Sequence, residues 1–108
     1  MKRLIVCLLA VAVLSTPQSK QNFTGIVTDD ECNMANHSRM HMGATDAECA
    51  KACVRAHGVS YVLYNGKDVY NLSDEQKAED FAAQKVTVVG VLDAKTKIIQ
   101  VDSITAAR

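Results

Sequence analysis

Aromatic residues and proline are scarce in this chain of 108 residues, which has no tryptophan, two phenylalanines, three tyrosines and one proline. A folded core must therefore be built mainly from valine, isoleucine, leucine and alanine. A domain of this size buries only about 60–65% of the surface of its unfolded chain, so its stability is marginal and gains from a disulfide or a bound metal. Glycine-rich phosphate loops, serine nucleophile motifs and paired catalytic carboxylates are also absent from the sequence, and we expect a binding module rather than an enzyme.

Long apolar runs are missing except at the amino terminus. There, the basic pair Lys2-Arg3 precedes an apolar run over residues 4–14 and a small, polar stretch, a pattern that predicts a signal peptide over residues 1–20. The run is much shorter than the ~20 residues that span a bilayer. We therefore expect an exported protein, periplasmic or secreted, with no membrane attachment after the leader is cleaved.

Positive charge is not in excess. Without Lys2 and Arg3, the twelve basic residues fall to ten against twelve acidic ones, a net charge of about −2 with neutral histidines. No basic stripe is present, so we expect no nucleic-acid partner. The acidic run at residues 29–31 can bind a hard cation, but adjacent carboxylates are more often a solvated edge, and that is our interpretation here.

Residues 21–108 are predicted to form one domain. Phe23 to Thr28 indicates a first strand, in which Gly25 marks a bulge or a close backbone approach. Asn65-Gly66 is typical of a hairpin turn and joins strands predicted at 60–64 and 68–72, with Tyr61, Leu63, Tyr70 and Leu72 on the core face. A last hairpin is predicted from strands at 86–92 and 98–104.

Two capping boxes predict two helices. Thr45 and Glu48 open a helix that runs to about residue 56 and ends at Gly58, a residue that adopts the left-handed conformation without strain. Ser73 and Gln76 open a second helix that runs to about Ala83.

This order of elements predicts a mostly β fold, a small five-stranded barrel of the oligonucleotide/oligosaccharide-binding (OB) kind. Its helix falls between strands 3 and 4, as is characteristic of that barrel. A helical insertion at residues 29–58, between strands 1 and 2, carries the cysteines. The alternative is a small α+β sheet that does not close.

Five segments of the chain resemble a group of small exported bacterial domains of unknown function. The first has the pattern Gly-x-Val-x-Asp-x-x-Cys from Gly25 to Cys32, and the second is Cys49-x-x-x-Cys53; the others are residues 61–63, 69–72 and 86–93. The resemblance covers essentially the whole chain after the leader. It implies an exported bacterial protein with an OB-like fold, and it brings no established activity.

The insertion holds every cysteine, histidine and methionine that follows the leader: Cys32, Met34, His37, Met40, His41, Met42, Cys49, Cys53 and His57. Any chemistry is therefore expected there. Cys49 and Cys53 lie four apart on one helix face, at a spacing too wide for a disulfide between them. An exported location favours oxidation, so a Cys32–Cys49 or Cys32–Cys53 bridge is one prediction, which stabilises by about 3 kcal/mol in the chain-entropy model.

A single disulfide among three cysteines leaves one thiol unpaired. The second prediction is therefore a metal site. Cys32, Cys49 and Cys53 with His37 or His41 make a set of three sulfurs and one nitrogen, which suits tetrahedral zinc. The nearby methionine thioethers also suit cuprous copper. The third prediction is a thiol redox protein, which needs an accessible cysteine with a lowered pKa, and the fourth is a purely structural or partner-binding domain. His57, just before Gly58, is expected to interact with the end of its helix.

Overall fold

The computed structural model describes residues 19–107, so the predicted signal peptide lies almost entirely outside the described residues. The described chain is mostly β. Its elements are β1 (Gln21–Asp29), α1 (Asp46–His57), β2 (Tyr61–Tyr64), β3 (Val69–Leu72), α2 (Glu75–Glu79), β4 (Lys85–Asp93) and β5 (Ile98–Ala106). None of the described helices combines the length and the apolar character that crossing a membrane requires.

The five strands form one sheet that closes in a ring, in the order β1-β2-β3-β5-β4. All neighbouring strands are antiparallel except β3 and β5, which are parallel. The closure confirms the predicted mostly β, five-stranded architecture and excludes the open α+β sheet. It requires β1 to serve two partners, pairing with β4 along residues 21–26 and with β2 along residues 26–29.

Two glycines lie where backbones approach closely. At Gly25, where β1 passes from β4 to β2, a Cβ atom would collide with the carbonyl group of Tyr64, so the predicted close approach is confirmed. Gly90 lies at a register shift between β4 and β5, and a Cβ atom there would collide with the carbonyl oxygen of Gln100. A side chain at either position would therefore strain the closed ring.

The β2–β3 hairpin has the predicted turn. Tyr64 pairs with Val69, Gly66 has a φ of 97°, and the Asn65 side chain accepts hydrogen bonds from two backbone N–H groups of the turn. The predicted core face is confirmed: Tyr61, Leu63 and Leu72 are at most 3% exposed, and Tyr70 packs against them.

The second helix is shorter than its sequence pattern predicts. It ends at Glu79 rather than Ala83, and its N-cap is Asp74, whose side chain accepts from the Lys77 N–H. The prediction of Ser73 as the cap is wrong because the Ser73 hydroxyl accepts a hydrogen bond from the Val101 N–H of β5 at 2.8 Å. Ala83 has a positive φ and its N–H donates to a carbonyl of β1, so the chain leaves the helical path there.

The first helix carries Cys49 and Cys53 and contacts β1. The Thr45 side chain accepts from the Glu48 N–H at 3.1 Å, while the Glu48 carboxylate accepts from the Ala44 N–H at 3.0 Å. At the other end, Gly58 is left-handed with φ 64°. These two ends set the bounds of α1.

Candidate metal centre

The end of β1 fixes the position of the first cysteine. Asp29 is fully buried, and its Oδ2 atom accepts hydrogen bonds from the backbone N–H groups of Glu31 and Cys32 at 3.1 and 3.0 Å. The Thr28 hydroxyl donates to the Cys32 carbonyl at 2.8 Å. The interpretation of residues 29–31 as a solvated edge is therefore wrong for Asp29, because its carboxylate is needed to turn the chain.

Helix α1 presents two thiols to this turn. Cys49 and Cys53, four residues apart, are 1% and 0% exposed. The Cys49 thiol donates to the Met40 carbonyl at 2.9 Å, and the Met42 N–H donates to Cys49 Sγ at 3.5 Å. The Cys53 Sγ atom lies 3.8 Å from Met40 Sδ. Residues 40–42 of the loop thus pack directly over both thiols.

Three buried side chains meet here, and we call Cys32, His37 and Cys49 the inner group. Their ligand atoms lie within 4.8 Å of one another, and the residues are 7%, 5% and 1% exposed. They come from three separate places: the turn after β1, the irregular loop and helix α1. This group is close enough to hold a metal ion.

A second set lies next to it, and we call Glu31, Cys53 and His57 the outer group. Its ligand atoms also lie within 4.8 Å of one another, but Glu31 and His57 are exposed. The His57 Nδ1 atom is 2.7 Å from Glu31 Oε1. Because His57 follows Cys53 by one helical turn, the outer group continues the stripe of α1 that Cys49 begins.

The surroundings of the thiols disfavour thiolates in the absence of a cation. Burial, followed by the neighbouring Asp29, Cys49 and Glu31, raises the pKa of Cys32 to about 11. Burial followed by the same neighbours raises the pKa of Cys53 to about 12. Negative groups that raise a thiol pKa are the groups that would favour a cation held by the thiolates.

Two buried polar atoms at the site have no hydrogen-bond partner: Asp29 Oδ1 and His37 Nδ1, which are 3.9 Å apart. An orphaned buried polar atom is costly, so these two atoms need a hydrogen bond to each other or to another partner. A cleft of about 350 Å³ opens beside Cys32, lined also by Glu31, Met34 and Arg39.

The chain matches no family model, no curated protein and no solved structure.

The structure brings some of the predicted site residues together and separates others. Cys32, Cys49 and His37 meet in the inner group; Cys53 lies in the outer group; His41 is exposed and belongs to neither. These three cysteines are all free thiols, so the structure has none of the predicted bridges among them.

Three residues at the site were not predicted as ligands or supports: Asp29, Glu31 and His57. For His57 a signal was present, because Cys49, Cys53 and His57 recur every four residues and so share one helix face. For Asp29 and Glu31 no local pattern distinguishes the buried carboxylate from its exposed neighbours, because the turn that buries Asp29 is defined by contacts with Cys32.

Proposed function

We propose that this chain is a small exported bacterial binding module whose insertion between β1 and β2 holds a soft metal ion, Zn²⁺ or Cu⁺, at the inner group. The single observation that carries this proposal is the meeting of two thiols and one imidazole, from three separate segments, in a site that is at most 7% exposed. Buried groups of this kind are seldom assembled without a partner that satisfies them.

The ligand chemistry supports the proposal. Two thiolates and one neutral imidazole are a set that zinc uses when it keeps a fourth position open. Thiolate ligands, with a thioether close by, also suit cuprous copper. The Met42 N–H already points at Cys49 Sγ and would stabilise the negative sulfur of a metal-bound thiolate.

The carboxylate behind the imidazole supports it as well. Metal-binding histidines donate their second ring N–H to a carboxylate or carbonyl, which fixes the ring and raises its basicity. Asp29 Oδ1 lies 3.9 Å from His37 Nδ1, and both atoms lack a partner. A small shift joins them, which leaves the Nε2 atom of His37 to bind the metal.

The strand arrangement supports an OB-like assignment for the barrel. A five-stranded sheet that closes in the order β1-β2-β3-β5-β4, with its single parallel pair between β3 and β5, fits the Greek-key barrel of that fold. The loop between the first two strands is a usual binding element of OB barrels, and here it is the insertion. Export, a bacterial source and the resemblance to small exported domains remain part of the proposal on the strength of the sequence.

The thiol redox alternative is less well supported. A redox cysteine needs a lowered pKa and access to solvent. Cys32 and Cys53 have raised pKa values, and Cys49 is 1% exposed. The structure therefore favours thiols that bind over thiols that attack.

Metal affinity of the exported protein tests the proposal. The protein is recovered from the periplasm of a bacterial host, reduced and titrated anaerobically with Zn²⁺ and, separately, with Cu⁺ against competing chelators. We expect one tight equivalent, and Co²⁺ in place of zinc should give sulfur-to-cobalt charge-transfer absorption.

His37→Gln is the informative variant, and His41→Gln is its matched control because His41 is exposed and lies outside both groups. We expect His37→Gln to weaken binding by at least about 100-fold, since even a residue behind a ligand is worth about 10–100-fold. His41→Gln should bind like the natural chain. Equal affinities in the two variants, or a reduced protein that binds no metal, would overturn the proposal in favour of a disulfide-stapled structural domain.

A further inference from the structure

The outer group is more exposed than the inner group. Along one face of α1, Cys49 and Cys53 are buried whereas His57 is exposed. Across from this stripe, the buried Cys32 directly follows the exposed Glu31 in the chain. Each group therefore takes one residue from the turn after β1 and at least one from α1. Along α1, the cysteine of the outer group follows that of the inner group by one turn of the helix.

One residue contacts both groups. The Met40 carbonyl accepts from the Cys49 thiol of the inner group, and its Sδ atom lies 3.8 Å from Cys53 Sγ of the outer group. Cys49 and Cys53, at i and i+4 on a helix, have Cβ atoms about 5–6 Å apart. Met40 and the two thiols of α1 therefore connect the two groups.

The outer ligand set differs in chemistry from the inner one. A carboxylate, an imidazole and a thiolate are all zinc ligands, whereas cuprous copper selects sulfur. An exposed carboxylate also attracts a hydrated cation at a distance, which the buried inner group cannot do.

We propose that Glu31, Cys53 and His57 form a loading site, which takes Zn²⁺ from solvent and passes it to Cys32, His37 and Cys49. This inference rests on the proposed function and narrows its metal to zinc. On arrival the ion displaces the proton of Cys53 to solvent and separates His57 from Glu31. Transfer exchanges these ligands one at a time for those of the inner group. Cys32 and Cys49 then lose their protons, of which one returns to the Cys53 thiolate and the other goes to solvent, and no electron is moved.

The test measures the rate at which zinc enters the inner site and, separately, the affinity of that site for zinc at equilibrium. A loading site is an intermediate on the path, so its loss slows association and dissociation by the same factor and leaves the affinity of the inner site unchanged. Rates are measured by stopped-flow mixing of the reduced, exported protein with zinc bound to an absorbing chelator. Dissociation is followed with excess chelator.

Two variants of the outer group are compared with matched controls. We expect Glu31→Gln and His57→Gln each to slow loading and release by at least about tenfold, because each removes a ligand of the loading site and even a residue behind a metal ligand is worth about 10–100-fold. Asp30→Asn removes the same charge from an exposed neighbour outside both groups, and His41→Gln removes an exposed imidazole; both should keep the natural rates.

The outcomes separate the two proposals. If the natural chain binds zinc tightly and Glu31→Gln and His57→Gln load as fast as the controls, the loading site is refuted while the inner site stands. A parallel loss of affinity in these variants also refutes it, because Glu31 and His57 would then belong to the final site. If the natural chain takes up neither Zn²⁺ nor Cu⁺, the proposed function fails and the loading site with it. If it takes up Cu⁺ but no zinc, the loading site is refuted while the inner site stands.

Discussion

Zinc should stabilise the reduced protein by an amount that can be calculated. An ion that binds only the folded chain adds about 2.7 kcal/mol at a free concentration of 100 times its Kd. For a domain of this size, each kcal/mol raises Tm by about 4–8 °C, so we expect a gain of about 11–22 °C. If His37→Gln weakens binding 100-fold, the same zinc concentration equals the new Kd and adds only about 0.4 kcal/mol, or about 2–3 °C.

The assay is thermal unfolding followed by far-ultraviolet circular dichroism, with zinc added to protein kept reduced under argon. His41→Gln should gain as much as the natural chain. The reasoning is refuted if zinc leaves Tm unchanged in the natural chain, or if His37→Gln gains as much as His41→Gln. In either case the inner group would not be a zinc site.

Three further predictions follow from contacts already described. In urea unfolding, the metal-free protein should lose stability between about pH 9 and about pH 12. In this range the thiols of the unfolded chain, with a pKa near 9.0, ionise, whereas the folded chain holds the pKa of Cys32 at about 11 and that of Cys53 at about 12. A free energy of unfolding that stays constant over this range contradicts the raised pKa values. Asp29→Asn should weaken zinc binding by about 10–100-fold in chelator competition, since it removes the carboxylate behind His37; an unchanged affinity would show that Asp29 serves only the turn. Gly90→Ala should lower the free energy of unfolding by about 1–3 kcal/mol with an unchanged denaturant slope. The reason is that the new Cβ atom collides with a backbone carbonyl, which can move only if the strand pair is distorted. An unchanged free energy of unfolding would mean that the strand pair is looser than described.

Local signals in the sequence predicted the local structure well. The Asn65-Gly66 turn and the alternation of Tyr61, Leu63 and Leu72 depend on residues a few positions apart, so each could be read without knowing the fold. Where two neighbouring residues could both cap a helix, the sequence did not show which of them does so. Ser73 and Asp74 are adjacent acceptors, and the Val101 N–H of a distant strand decides that Ser73 cannot be the cap.

The candidate site shows the same limit. Residue types and spacing pointed to the insertion and to Cys32, Cys49 and Cys53. They could not decide between His37 and His41, which lie four residues apart in one irregular loop. Nor could they assign Cys53 to a different group from Cys49, because that depends on where the turn after β1 places Glu31 and Cys32 against the helix.

Because β1 pairs with both β2 and β4, the ring needs one strand that is synthesised early and one that is synthesised late. Every proposed ligand, from Glu31 to His57, precedes β4 in the chain. A polypeptide cut short before Lys85 would carry both ligand groups in full and yet leave residues 21–26 of β1 with bare N–H and C=O groups, a template for pairing with other chains. Truncated copies should therefore aggregate, so the intact carboxyl-terminal hairpin protects the solubility of a site to which it contributes no ligand.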